Sequence, residues 1–214
     1  MGQSFPESDG KRIVLALITM IHENRAYLSE IDGAIGDGDH GINMDKGFSL
    51  AGKRLESQNV GLSASLKELG SVLVDEIGGS MGPLYGTFFK RMARVTKGTE
   101  SIDRDIVELM LSSAYEGITT IGTAKVGDKT LVDTLDPALM ALREAIQENK
   151  GFSECLDAMT KGAEKGWLST KDLVAKVGRA SRLGERSRGV LDAGATSCYL
   201  ILKTMAFEMK ELAK

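Results

Sequence analysis

Apolar residues recur at helical spacing along almost the entire chain, and this periodicity leaves few alternatives to an all-α fold. The first stretch, 11–30, places Ile13, Leu17 and Ile21 on one face, after Ser8 or Asp9 as the expected N-cap. The sequence lacks alternating β-branched runs bounded by turns and holds only 3 prolines. The other predicted helices are 41–57, 62–77, 83–96, 102–121, 130–148, 152–168 and 194–212, with Ser101 and Ser153 as two of the starts. About eight helices joined by short loops predict a single-domain antiparallel bundle.

Composition restricts the class of partner. The chain has 214 residues and a formal net charge of −3, so it offers no general attraction to nucleic acid or to an anionic membrane. No apolar run approaches ~20 residues, and the N-terminus lacks a cleavable hydrophobic segment, so we expect a cytoplasmic protein. Cys155 and Cys198 are far apart in sequence, and we predict that both are buried thiols in a reducing compartment.

Glycines cluster in four of the connections between predicted helices, at 33–41, 78–82, 122–127 and 178–194. A glycine that merely ends a helix usually occurs singly, whereas a run indicates repeated positive φ or close approach of the backbone to something else. These connections follow the first, third, fifth and seventh helices. Because alternate loops of an up-down bundle lie at the same end, we expect the four connections to form one site.

The segment 31–48, IDGAIGDGDHGINMDKGF, carries three aspartates in this glycine-rich context. Asp37 and Asp39 are two residues apart, so their side chains would point the same way in an extended loop, and Asp32 is expected at the end of the first helix. Three hard oxygen ligands with room for water suit Mg²⁺. A solvated acidic turn or a capping residue would explain one aspartate, but three together favour a metal.

Other metal and phosphate motifs do not fit the sequence. An EF-hand that started at Asp37 would need Asp or Asn at Gly41 and Glu at Phe48. The two histidines and two cysteines do not have zinc-site spacing. The pattern GxxxxGK[ST] is absent, which excludes a P-loop. The GGSMG run at 78–82 precedes a helix, where backbone N–H groups bind anions, although a tight helix–helix turn would look the same.

Basic residues lie in the two remaining glycine-rich connections. Lys125 and Lys129 belong to the stretch GTAKVGDKT, and four arginines belong to GRASRLGERSR, namely Arg179, Arg182, Arg186 and Arg188. A solvated face would explain them. However, aspartates and arginines at one end of the bundle also suggest a phosphate held between a metal and a guanidinium group. Phosphates and aspartates repel each other at short range, so such a site would require cations.

Four motifs, in order, resemble the nucleotide-binding L subunit of dihydroxyacetone kinase: IGDGDHGINMDKGF, GGSMGPLYGTFF, GDKTLVDTLDPA and GRASRLGERSRGVLDAGATS. The resemblance runs from about residue 10 to the C-terminus. It implies an eight-helix antiparallel barrel with the nucleotide site in the loops at one end. It also implies an N-terminal extension at 1–10 and a nucleotide-binding helical domain at 11–214.

The resemblance assigns roles to particular residues. Two Mg²⁺ ions would be held by Asp32, Asp37 and Asp39. Arg179 would contact the phosphates and stabilise the transferring group, and no nucleophile is assigned. The implied nucleotide contacts are His40, Gly41, Ile42, Asn43, Ser80, Met81, Gly122, Leu131, Arg179, Asp192, Ala193 and Gly194. The family usually has proline where Ala193 stands, so the preset φ of that turn is loosened here.

By the same resemblance, the chain is the phosphoryl-donor subunit of a kinase for dihydroxyacetone or a related short keto-sugar. A separate K subunit would carry the sugar. The donor would be either bound ADP recharged by a phosphohistidine protein of the phosphotransferase system, or exchanging ATP. Two other functions share some of the motifs: a non-catalytic nucleotide-sensing module and a metal-dependent phosphohydrolase. The resemblance implies neither nucleic acid nor a membrane as a partner.

Overall fold

In residues 3–214, which the computed structural model describes, eight α-helices follow one another along the chain. They are α1 (Lys11–Ile35), α2 (His40–Leu55), α3 (Leu62–Glu76), α4 (Met81–Thr96), α5 (Arg104–Ile121), α6 (Val132–Gln147), α7 (Phe152–Ser169) and α8 (Ala193–Leu212). Short 3₁₀ helices occur at Glu7–Asp9, Thr170–Asp172 and Arg179–Ser187. The all-α prediction is confirmed.

The helices close into a barrel because each packs against its neighbours in the chain and α8 packs against both α7 and α1. Their buried faces form one continuous apolar core, in which Phe88 and Phe89 meet edge to face with ring centroids 5.1 Å apart. Both cysteines are free and buried, as predicted. Within the described residues, no helix has the length and apolar character needed to cross a membrane.

The structure contains a small strand pair that the periodicity did not predict, β1 (Phe5–Pro6) and β2 (Ser101–Ile102), which pair antiparallel. The predicted start of α5 at Ser101 is therefore wrong, because Ser101 pairs with Pro6 in this sheet. Asp103 is the actual N-cap, and its carboxylate accepts from the backbone N–H groups of Asp105 at 3.1 Å and Ile106 at 2.9 Å.

Two other predicted helix starts are also displaced. Gly10 is the N-cap of α1, since Ser8 and Asp9 belong to the preceding 3₁₀ helix. Ser153 lies inside α7, which starts after Gly151 because the Glu154 side chain accepts from the Gly151 N–H at 2.9 Å. These shifts leave the order of the helices unchanged, so the loops after α1, α3, α5 and α7 still lie at one end.

Candidate functional site

A cavity of about 610 Å³ opens at the end of the barrel where these four loops meet. Each loop contributes to its lining: Asp32–Asn43 around the first loop, Gly78–Tyr85 around the second, Gly122–Val132 around the third and Val177–Gly194 around the fourth. A volume of this size is in the range of small-molecule and cofactor sites. The prediction that the four glycine-rich connections meet at one site is therefore confirmed.

The first loop brings Asp32, Asp37 and Asp39 together, with one carboxylate oxygen of each within 4.8 Å of the others. The sequence interpretation assumed an extended loop, and this is wrong, because Gly38 between the two exposed aspartates has a φ of 77°. Gly36 is required for another reason, since a Cβ there would lie 2.4 Å from Asp32 Oδ1. Glycine therefore allows the chain to fold back until the three carboxylates converge.

This donor set fits a magnesium ion. Asp32 already accepts from the His40 N–H at 3.2 Å, which fixes its carboxylate at the start of α2. Asp39 is the N-cap of α2, yet its side chain makes no capping hydrogen bond, so its carboxylate oxygens are available as ligands. Oxygen ligands from a few carboxylates, completed by water and phosphate oxygens, are what Mg²⁺ prefers.

Arg179 faces the acidic loop across the cavity mouth, and its guanidinium group forms an ion pair with Asp37. It follows Gly178, whose φ is 69°, at the start of a 3₁₀ helix. Arg182, Arg186 and Arg188 do not line the cavity. They are exposed, so a solvated face describes Arg182 and Arg186. Arg188 pairs with Glu185 at 3.0 Å and also donates to the Asp172 carbonyl oxygen.

His40 lies in the wall of the cavity, and its Nε2 is 2.9 Å from Ser197 Oγ. Ser197 Oγ is in turn 2.6 Å from the hydroxyl of the buried Tyr85. Burial lowers the pKa of His40 to about 4, and the nearby Asp32 carboxylate only partly opposes this shift. A ring with this pKa is neutral at pH 7 and acts as a hydrogen-bonding group.

The second loop directs the start of α4 into the cavity. Ser80 is the N-cap and makes no side-chain capping bond, and Gly79 before it has a φ of 74°. The first N–H groups of a helix have no partner within the helix, and together with the helix dipole they favour an anion. Met81 and the apolar side chains of Leu84, Ile118 and Leu131 add a hydrophobic portion to the cavity wall.

Two of the residues implied by the resemblance, Gly41 and Ile42, do not line the cavity. Gly41 packs against α1, where a Cβ would lie 2.1 Å from the carbonyl oxygen of Arg25. Ile42 is 51% exposed. The other implied residues do line the cavity: Asp32, Asp37, Asp39, His40, Asn43, Ser80, Met81, Gly122, Leu131, Arg179, Asp192, Ala193 and Gly194.

Asp192 has a second role, as the N-cap of α8, where its Oδ2 accepts from the Ala195 N–H at 2.7 Å. Burial raises the pKa of Asp192 to about 7, and this rise is opposed by the Ala195 hydrogen bond and by the positive charge of Lys129. Asp133 and Asp32 add to the rise through charge repulsion. At the start of α8, the Asp192 carboxylate therefore caps the helix and also lies close to the carboxylates of Asp133 and Asp32.

Sequence reasoning missed Tyr85, Ser197 and the burial of Lys129. No local pattern identifies them, because Tyr85 and Ser197 lie on α4 and α8, more than a hundred positions apart. Its place in a basic, glycine-containing connection favours an exposed side chain for Lys129, but that side chain is 1% exposed. The one signal available was its position between Asp128 and Thr130 in a glycine-containing turn.

The sequence profile of the family described as the DAK2 domain matches residues 34–207. The chain belongs to the DAK2 domain family. It is similar to the ADP-binding subunit DhaL of the PEP-dependent dihydroxyacetone kinase of Escherichia coli strain K12, with 38% identity over 186 residues, or 86% of this chain and 89% of the relative. It is also similar to the ADP-binding subunit DhaL of PEP-dependent dihydroxyacetone kinase 1 of Listeria innocua, with 39% identity, 86% of this chain and 88% of the relative.

Among solved structures, the dihydroxyacetone kinase of C. freundii in its native form aligns with a TM-score of 0.70 and 24% identity. The alignment covers 92% of this chain and 34% of that one. The same kinase in complex with AMP-PNP and Mg²⁺ aligns with a TM-score of 0.68. At this identity, the likeness demonstrates that the DAK2-domain chain shares the fold.

Proposed function

We propose that this DAK2-domain chain is the phosphoryl-donor subunit of a kinase for dihydroxyacetone or a related short keto-sugar. The observation that carries the proposal is one cavity in which three carboxylates and Arg179 face each other beside the uncapped start of α4. This arrangement suits a nucleotide whose phosphates are bound through metal ions. The identity with curated ADP-binding subunits over most of both chains supports the same assignment.

In this proposal, Asp32, Asp37 and Asp39 hold two Mg²⁺ ions, which supply neutralisation of the phosphate charge when bound. Arg179 then exchanges its contact with Asp37 for the phosphate oxygens, to which a guanidinium group can donate two parallel hydrogen bonds. Phosphoryl transfer depends mainly on positioning and charge stabilisation, so the chain needs no nucleophile of its own.

The remaining contacts follow from the cavity wall. His40, held by Ser197, and Asn43 would donate or accept hydrogen bonds at the phosphate end. Gly41 and Ile42 would contribute only backbone groups of the first turn of α2, since their side-chain positions face elsewhere. The residues proposed to surround the rest of the nucleotide are Ser80, Met81, Gly122, Leu131, Asp192, Ala193 and Gly194.

The sugar would come from a separate K subunit that docks at the open end of the cavity. The names of the two relatives, both PEP-dependent, favour bound ADP recharged by a phosphohistidine protein over exchanging ATP. We further propose that residues 11–214 form the nucleotide-binding domain, that residues 1–10 are an extension of it, and that the protein works in the cytoplasm.

The first test is the dependence of nucleotide binding on Mg²⁺. ADP with Mg²⁺ at about a hundred times the dissociation constant should add roughly 2.7 kcal/mol to the free energy of unfolding. For a chain of this length, that corresponds to a rise in Tm of roughly 5–10 °C. ADP with EDTA should leave Tm almost unchanged, because the acidic loop repels bare phosphate. Equal shifts in both conditions would exclude a metal-bridged site.

The second test measures transfer. The purified chain should bind Mg-ADP, yet neither release phosphate from ATP nor phosphorylate free dihydroxyacetone. Addition of a K subunit, with ATP or a phosphohistidine donor, should start sugar phosphorylation, because docking aligns the hydroxyl with the phosphate and excludes water. Rapid ATP hydrolysis by the chain alone would indicate a phosphohydrolase. Binding without transfer, whatever the partner and donor, would indicate a nucleotide sensor.

A further inference from the structure

The connection between α7 and α8 is a long loop whose two ends meet. Near its base, the Gly189 N–H donates to the Lys171 carbonyl oxygen at 2.7 Å, and the Asp192 N–H donates to Thr170 Oγ1 at 3.2 Å. We call this base, residues 170–173 and 189–192, the neck of the loop. Arg179 lies beyond the neck, in the part of the loop that reaches the cavity.

The Lys129 side chain inserts into the neck from the neighbouring connection between α5 and α6. Its Nζ donates to the carbonyl oxygens of Thr170 at 2.6 Å, Leu173 at 3.2 Å and Val190 at 2.5 Å. These three bonds use every donor of the ammonium group and join both strands of the neck. Because the side chain is 1% exposed, water does not compete for these carbonyl groups.

The turn that presents Lys129 is itself fixed. Asp133, in the first turn of α6 and 3% exposed, accepts from the Gly127 N–H at 2.5 Å and from the Thr130 N–H at 2.7 Å. Lys129 between them has a φ of 64°, a conformation that a non-glycine residue adopts only where its surroundings hold it. The lysine is thus anchored to the start of α6, on the wall of the cavity.

The far part of the loop is held together by the Ala175 N–H, which donates to Ser187 Oγ at 2.9 Å. Its glycines add no packing, because Gly178 and Gly184 have positive φ and a Cβ at either would have no atom within 4 Å. Beyond the neck, the loop is tied back by Lys176, whose N–H donates to the Asp128 carbonyl oxygen at 3.1 Å. Arg179 also pairs with Asp37, and its 3₁₀ helix packs against α1. The position of Arg179 therefore depends on the neck together with these contacts.

We propose that Lys129 is a positioning residue, which closes the neck of the 170–192 loop and thereby sets where Arg179 stands relative to the acidic loop. It does not touch the nucleotide in this scheme. The proposal rests on the proposed function for the role of Arg179, but the closing of the neck is a property of the chain alone.

The test uses the full chain with Lys129→Met, which keeps the length of the side chain and removes its three donors. Lys161→Met, on the exposed surface of α7, is the matched control. Without nucleotide, Lys129→Met should speed amide hydrogen exchange across 173–190 while the helices keep wild-type protection, and the control should change neither. Wild-type exchange in that loop would overturn the proposal.

A double-mutant cycle then tests the connection to Arg179. With a K subunit and a phosphoryl donor, Lys129→Met should lower the transfer rate by about tenfold in the wild-type background but by less than about twofold in the Arg179→Lys background, as expected for residues acting through one another. A merely structural lysine would cause the same loss in both backgrounds, and that result would overturn the proposal.

Should Lys129→Met fail to fold, Lys129→Gln carries both measurements, because it removes the charge and shortens the side chain, so that it cannot bond all three carbonyl groups of the neck. Faster exchange in the loop, with a transfer loss only in the background that keeps Arg179, would support the proposal. Wild-type behaviour in both measurements would overturn it. If the wild type neither binds Mg-ADP nor transfers, the proposed function fails, and the exchange measurement alone decides whether Lys129 closes the neck.

Discussion

The helix starts at the two ends of the barrel are finished differently. At the end away from the cavity, acidic side chains cap two of them: Glu7 Oε1 accepts from the Ser63 N–H of α3 at 2.6 Å, and Asp103 caps α5. At the cavity end, Asp39 and Ser80 are the N-caps of α2 and α4, and neither makes a side-chain capping bond within the described chain. Among the described N-cap residues at this end, Asp192 of α8 alone uses its own side chain as a cap, while the Asp32 carboxylate accepts from the first N–H of α2.

This difference separates stability from binding. A capping side chain satisfies the first N–H groups of a helix and stabilises the fold by about 1 kcal/mol. Where a capping-type residue is present but its side chain is not used for capping, the N–H groups and the side-chain oxygen remain available to a ligand. We therefore expect substitutions at the far end to change stability and substitutions at the cavity end to change binding or transfer.

The largest effect should come from Asp37→Asn. Loss of one of three carboxylate charges should weaken Mg-ADP binding by at least about a hundredfold, or ~2.7 kcal/mol, and abolish transfer. Its pair with Arg179 is exposed, so the apo Tm should hardly change. Calorimetric titration measures the Mg-ADP affinity, and thermal melting without nucleotide measures the apo Tm. Asp157→Asn on α7, which breaks an exposed pair with Lys210, is the control. Wild-type affinity in Asp37→Asn would remove Asp37 from the metal site.

Arg179→Lys should affect transfer more than binding. The metal ions carry much of the ground-state charge, whereas a planar guanidinium can follow charge that spreads during transfer. Loss of such a donor typically costs about a hundredfold in rate. Single-turnover transfer gives the rate, and Arg182→Lys, also exposed but outside the cavity lining, is the control. Equal rates for Arg179→Lys and wild type would place Arg179 among the solvated arginines.

The capping comparison itself is tested by a pair of smaller changes. Asp103→Ala should lower the free energy of unfolding by about 1 kcal/mol, and Tm by roughly 2–4 °C, with Mg-ADP affinity unchanged. Ser80→Ala should change stability by less than about 0.5 kcal/mol, but weaken Mg-ADP binding by about 2- to 10-fold. Thermal melting of both variants measures the change in stability, and calorimetric titration measures the change in Mg-ADP affinity. The reverse pattern would show that the two ends do not differ in this way.

The smallest expected effect is a gain. Ala193 is the first residue of α8, where the N–H has no helical partner, and Asp192 before it has φ −81° and ψ 135°, which suits a residue before proline. Ala193→Pro should raise stability by about 0.4–1 kcal/mol through the unfolded state. Ala195→Pro should instead destabilise the protein, because it removes the N–H that donates to the Asp192 carboxylate. A lower Tm for Ala193→Pro would contradict this account of the turn.

Much of the molecule could be predicted from the sequence because the signals are local. Helical periodicity depends on residues three and four apart, so the eight helices and their order followed from it. The order in turn gave the common end of the four glycine-rich connections. Asp32, Asp37 and Asp39 could be found because they lie within one short segment. The starts of α5 and α7 were misplaced. Asp103 and Ser101 have similar N-cap preferences, and α7 starts after Gly151, whose N–H donates to Glu154.

Only the tertiary structure decided which residues meet across the barrel. The contact of His40 with Ser197 and Tyr85 joins α2, α8 and α4, and no spacing along the chain encodes it. The sequence likewise could not distinguish Lys129 from Lys125 in the same connection, although one is buried against three carbonyl groups and the other is exposed. A charge on a glycine-rich turn has the same local pattern in both cases, and its burial depends on where a distant loop closes over it.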